Sequence, residues 1–182
     1  MTERWAAEFR DIPETLAERP DLRAAMRALC AAHEIPVKVT EGGDRRARRK
    51  LILDALFAGT IDLAAAEAAT ETALARTDSP HAASNLVFAK GWAHRLVATH
   101  YSVFYSWAVL DELIARGERA WVARATTESP TSRCSRLLAE RAHDPAVLRG
   151  RLIRCYVEKQ PAREPLVPDH PHCTHVASRV PE

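Results

Sequence analysis

Glycine is scarce in this chain, with six residues in 182. Without glycine-rich loops the backbone cannot wrap closely around a phosphate, and neither a P-loop nor a GxGxxG turn is present. The GxSxG elbow of serine hydrolases is missing too, so nucleophilic catalysis finds no support. No stretch approaches eighteen uninterrupted apolar residues, which argues against a membrane span. The opening MTERWAAEFRDIPE has no apolar h-region, and we expect no signal peptide and a cytoplasmic protein. A net charge of only +2 argues against uniform coating of nucleic acid, leaving that role to a local patch. No CxxC occurs, so a standard zinc finger is excluded.

What the chain does have is helix-forming sequence over most of its first 117 residues. WAAEFRDI and PETLAERP are short pieces. PDLRAAMRALCAAH carries proline at its first turn and apolar residues at helical spacing, with Cys30 as core. IPVKVT reads as a short strand. Asp44 can cap DRRARRKLILDALFAG, which should stop at Gly59, and Thr60 can cap the alanine-rich stretch from Ile61 to Arg76. That stretch has few large side chains and would suit close packing, including against a neighbouring chain. The most apolar region is expected to form a helix from Ser79 and Pro80 to Gly117, breaking near His100. Its buried side would carry Leu86, Trp92, Leu96, Val103, Tyr105, Leu110 and Leu113.

After Gly117 the texture changes. ERAWVARATT and RLIRCYVEK read as strands, TSRCSRLLAERA as a short helix, DPAVLRG as a turn and PAREPLVPDHPHC as extended chain. The expected fold is mainly α: a helical body over residues 1–117, then a small irregular α+β module over 118–182. With few large apolar residues, that module would need a bound metal ion as a staple.

The staple has candidates in HPHCTH, where three histidines and a cysteine fall within six residues. Four cysteines without an export signal read as thiols of a reducing compartment, where clustered Cys and His suggest metal ligands. A tetrahedral zinc site draws about four N or S ligands from separate segments. Cys134, His170, Cys173 and His175 form the expected set, with Cys155 and His172 as further options and zinc in a structural role. A catalytic site would also want a carboxylate, yet nothing marks Glu128 or Glu140. The second feature is RRARRK. Arg45, Arg46, Arg48, Arg49 and Lys50 crowd the end of a helix that disfavours cations, which suggests an external anion such as DNA or RNA phosphate. A solvated basic face is the simpler account.

From Ile114 onward the chain resembles the minor head proteins of tailed phages, in the Mu F-like and related minor-capsid families. The likeness rests on LIARGERAWVARATTESPTSRCSRLLA followed by HPHCTHVASRVP. In those proteins a helix ends in glycine before a Trp-bearing strand, an R-x-C segment follows, and H-P-x-C-x-H or H-P-x-C-x-C closes the module. Here Trp121 opens the strand, Thr126 and Thr127 lie at its end, and His170, Pro171, Cys173 and His175 match the closing motif. Arg133 and Cys134 match only loosely, and the family's second cysteine is missing near Leu137. The resemblance implies a structural component of a phage or prophage head, with protein subunits of an assembly as partners, made in the cytoplasm or carried in the virion. An interaction or structural protein therefore fits better than an enzyme. The alternatives are a zinc-supported nucleic-acid-binding subunit of a defence or regulatory complex, and a small metal-dependent hydrolase.

Overall fold

The computed structural model describes residues 3–181 and is mainly α, with a small three-stranded sheet. Helices α1 (Ile12–Glu18), α2 (Pro20–Ala32), α3 (Arg45–Ala58) and α4 (Leu63–Ala73) precede the long α5 (Trp92–Arg116). Strand β1 (Ala120–Val122), helix α6 (Arg133–Leu138), strand β2 (Arg141–His143), helix α7 (Pro145–Leu152) and strand β3 (Ser178–Arg179) follow. The sheet is antiparallel in the order β2-β1-β3, with Trp121 opposite Ala142 on one side and Ser178 on the other.

Helix α5 organises the rest. From His100 to Leu110 every side chain is buried, and a helix apolar all round must be covered all round. Helices α2, α3, α4 and α7 and strand β3 supply the cover. Phe57 of α3 lies 6.0 Å from Tyr101 and 5.6 Å from Phe104, ring centre to ring centre, and Phe104 stacks on Trp107. The buried Tyr105 hydroxyl accepts from the Ala6 amide at 3.0 Å, which fixes the N-terminal segment to the same helix. Gly117, at φ 67°, ends α5 as expected: a left-handed residue there lets the Glu118 amide bond back to the Leu113 carbonyl at 2.9 Å. Gly59 does the same for α3, and a Cβ there would sit 1.7 Å from Arg23 Nη1.

Several sequence expectations need correction. Helix α5 starts at Trp92, after turns over residues 79–91, because the Ser79 hydroxyl bonds the His81 amide locally and Arg76 ties down the Ala82 carbonyl and Asn85. Leu86 consequently lies outside the helix and is 93% exposed. No break occurs at His100, whose Nδ1–H donates to the Leu96 carbonyl one turn back, inside the helix. IPVKVT forms a 3₁₀ turn at Lys38–Thr40 instead of a strand. DPAVLRG and RLIRCYVEK are one helix, α7, running on into a π turn at Ile153–Val157. Asp144 caps the Ala146 and Val147 amides, Pro145 opens the first turn, and Leu148 and Leu152 bury one helical face. Asp62, not Thr60, caps α4 through the Ala65 amide, while Asp44 pairs with Arg48 instead of capping α3. Helix α4 packs against α3 and α5 of its own chain, with Ala66 and Thr70 buried.

One hydrophobic cluster includes Leu53 and Phe104 from the first 117 residues and Leu138, Leu152 and Val176 from the remainder. The two stretches share a core. A strap from the N-terminal segment reinforces the join: the Phe9 amide donates to the Thr174 carbonyl at 2.8 Å, and Glu8 bridges to His175. The buried Glu8 carboxylate accepts from the Thr126 amide and hydroxyl, both at 2.8 Å, and pairs with Arg10.

His100 is fully buried, and burial first, then the nearby Arg49 charge, pull its pKa from 6.5 to about 3. The folded chain therefore keeps it neutral where the unfolded chain would take up a proton. Its contribution to stability is complete above about pH 6.5 and is lost as pH falls toward 3. We expect urea-unfolding free energy to fall more steeply between pH 7 and pH 4 in the natural chain than in His100→Gln. The difference in slope approaches one proton, about 1.4 kcal/mol per pH unit; parallel curves would contradict it.

Candidate metal centre

Four side chains from three separate segments meet beneath the tail. Glu128 stands in the loop after β1, Cys134 in the first turn of α6, and His170 and Cys173 in the HPHC turn. One ligand atom from each lies within 4.8 Å of all the others. The Cys173 amide donates to the His170 carbonyl at 2.9 Å, and this turn brings the two side chains to the same place. Ser132 caps α6 by accepting from the Ser135 amide, which fixes Cys134; its hydroxyl also lies 3.1 Å from Cys134 Sγ. Asp169 braces the turn, accepting from the Leu166 amide and facing Arg133 of α6 at 3.6 Å.

Cys134 Sγ is 3.5 Å from His170 Nε2, which is 3.3 Å from a Glu128 oxygen. Ligands around a tetrahedral zinc ion, at about 2.0–2.3 Å from the metal, stand roughly 3.3–3.8 Å from each other. These two separations match a tetrahedral ion, and the remaining pairs of ligand atoms lie within 4.8 Å. Cys134 and Cys173 are buried, Glu128 is 10% exposed at its side chain, and His170 is the open member at 39%. Glu128 is held from behind by the Thr174 amide at 3.2 Å and hydroxyl at 3.4 Å, the kind of outer support that orients a ligating carboxylate. Burial pushes the Glu128 carboxyl up, but the Thr174 amide, the His170 ring and the Cys134 thiol together hold it below the usual carboxylate range. Burial drives the Cys173 thiol up to about 12, with the neighbouring Cys134 and Glu128 adding to the effect. The buried thiol is therefore held in its neutral form, and a cation bound beside it would favour the thiolate.

Three of the four ligands expected from sequence are in the group, with Glu128 in the place assigned to His175. The His175 ring is fully buried next door, its Nδ1 3.6 Å from Cys173 Sγ and its Nε2 3.5 Å from Ser135 Oγ. Burial pulls the ring's pKa down. Cys155 sits on the π turn away from the cluster, His172 is exposed, and Cys30 lies in the core of α2. Glu128 stands near Cys134 in sequence, with a Ser-Pro pair and three more residues between them, but that proximity alone does not mark it as a ligand.

The basic run is placed differently from what its charge suggested. Arg45 is buried, and its guanidinium donates to the carbonyls of Val39 at 2.9 Å, Leu74 at 2.7 Å and Ala75 at 3.0 Å. Arg49 is buried too, donating to the Ile35 carbonyl at 2.8 Å and to His100 Nε2 at 2.9 Å. Since arginine has no acceptor, that contact fixes the His100 proton on Nδ1. Arg48 reaches the Ala73 carbonyl and Lys50 the Ala31 carbonyl, at the C-terminal ends of α4 and α2. The anion that a cationic helix start calls for is internal: the negative ends of two neighbouring helices. Arg45 and Arg49 can meet a phosphate only by leaving these partners, and Arg46 faces Glu34 at 3.2 Å.

No family model, curated protein or solved structure matches the chain. The chemistry of the site therefore carries the functional reading.

Replacing Arg45 with alanine leaves three inward-facing carbonyls without their donor. We expect Arg45→Ala to lower the unfolding free energy by about 2–4 kcal/mol. Arg46→Ala, at an exposed ion pair, should change it by no more than about 0.5 kcal/mol. Equal losses measured by chemical denaturation would contradict the division between buried and exposed members of the run.

Proposed function

We propose that the chain is a structural, assembly-type protein whose C-terminal part is closed by one zinc ion bound to Glu128, Cys134, His170 and Cys173. The observation that carries this reading is the convergence of four potential ligands from three segments in a largely buried cluster. Four protein ligands complete a tetrahedron, and a site closed in this way is structural, whereas catalytic zinc keeps a position for water or substrate. Two thiolates, an imidazole and a carboxylate also suit zinc better than calcium or magnesium, which prefer oxygen alone. His170 and Cys173 belong, with Pro171 and His175, to the closing motif that carried the likeness to phage minor head proteins. The proposal accordingly includes a role as a subunit that binds other subunits in a head-like assembly.

A metal-dependent hydrolase is the second reading, favoured by the Glu128 carboxylate and by a cavity of about 110 Å3 reaching His170 and Cys173. In that case Glu128 would serve as the base and leave the fourth coordination position open.

Metal analysis by mass spectrometry separates the readings. The structural reading expects about one zinc per chain, lost in Cys134→Ser/Cys173→Ser together with protection of tail amides from hydrogen exchange. It also expects Glu128→Gln, at a direct ligand, to weaken zinc affinity by at least about tenfold, the loss that even an outer-shell partner causes. A Glu128→Gln chain that keeps zinc unchanged but loses a hydrolytic activity would establish the second reading. A chain that takes up no zinc, even on titration under reducing conditions, would sink both.

A further inference from the structure

A second cavity, of about 500 Å3, lies between the π turn and the proline-rich segment that follows it. Its wall holds three arginines, Arg151, Arg154 and Arg163, with Gln160, Cys155 and Leu166. None of the four metal-cluster residues lines it. One carboxylate, Glu164, shares the wall and is engaged by Arg151 at 2.7 Å.

Arg151 is held in place by that pair and by the Pro165 carbonyl, which accepts from Nη1 at 3.1 Å. Its Nε–H is buried with no acceptor among the described residues. Arg154 and Arg163 are exposed, and among the described residues neither side chain has a hydrogen bond or ion pair. Three guanidinium groups around one compensated carboxylate leave an excess of two positive charges at the cavity. The backbone is shaped to place them. The π turn sets Arg154 and Cys155 in the wall, and Lys159, at φ 57°, turns the chain so that Gln160 and Arg163 come back across it.

We infer that this cavity binds a small phosphorylated ligand through Arg154 and Arg163, beside the Arg151 guanidinium that Glu164 and the Pro165 carbonyl hold in place. Guanidinium groups match the paired oxygens of a phosphate, and such charge-assisted bonds are stronger than neutral ones. The volume lies within the range of about 300–1,000 Å3 typical of small-molecule sites, and Leu166, Pro161 and Ala162 offer apolar surface for the rest of the ligand. The site is independent of zinc. It also differs from the basic run of α3, whose two buried arginines are engaged inside the fold.

Calorimetric titration of the full, zinc-replete chain tests this, with adenosine monophosphate, adenosine, inorganic pyrophosphate and a twelve-nucleotide single strand as probes. The expected result is saturable binding of adenosine monophosphate, none of adenosine, and at least tenfold weaker binding in Arg154→Ala/Arg163→Ala. Arg136→Ala, which removes an exposed arginine outside the cavity, should bind as the natural chain does. Zinc content and thermal midpoint should be unchanged in both variants, so that a folding defect is recognised as such. Pyrophosphate binding as tightly as the nucleotide would support the site and show that it reads the anion alone. Absence of phosphate-dependent binding, equal binding in the double variant, or binding confined to the single strand would overturn the proposal.

Discussion

The middle of helix α5 is buried on every side, and nearly everything else in the molecule follows from covering it. A helix of this kind cannot rest on one sheet or one partner helix; it needs cover around its whole circumference. Helices α2, α3 and α4 take one part, α7 and the end of the tail take another, and the Ala6 amide closes a gap at Tyr105. The HPHC segment belongs to a tail already committed to this core through Leu166, Val167 and Val176. The candidate metal centre thus forms where the last layer of cover meets the core, and its ligands are positioned by packing as much as by their own turns.

The same demand explains the polar groups inside the fold. Short connections between closely packed helices leave carbonyls facing inward, where no water can satisfy them. Arg45 and Arg49 reach those carbonyls on long, largely apolar stems. His100 offers Arg49 a neutral acceptor, and Glu34, 3.8 Å away, supplies partial compensation for the charge. A run that looks on paper like a surface for phosphate is in large part internal scaffolding. Arg154 and Arg163, beside the π turn, are among the arginines with no side-chain partner among the described residues.

Local signals were readable where backbone chemistry alone decides. Pro20 and Gly59 bound helices, Gly117 ends the central one, and Cys30 lies in the core, all as their residue types indicate. Reading failed where tertiary partners decide. RLIRCYVEK has enough branched and aromatic residues to suggest a strand, but the cap at Asp144 starts a helix and the surface of α5 draws Leu148 and Leu152 onto it. Likewise the HPHC residues were visible as a local cluster, with Cys134 as their expected partner from a second segment and Cys155 as the further option. Glu128 had no local mark, because its role arises only when Thr174, far along the chain, comes back to hold its carboxylate.

The strap at Glu8 and Phe9 gives the chain a particular order of completion. Ribosomes make proteins from the N-terminus, so these residues emerge long before Thr126, Thr174 and His175, the groups they bond. Helices α1 to α5 can gather as they appear, with mostly local contacts. The N-terminal segment must wait, its Glu8 carboxylate in water, until the far end of the fold arrives. Only then is that charge buried and the strap laid across the tail. Residues made early are thus among the last to settle, and closing them over the tail joins segments synthesised far apart in time beside the candidate metal centre.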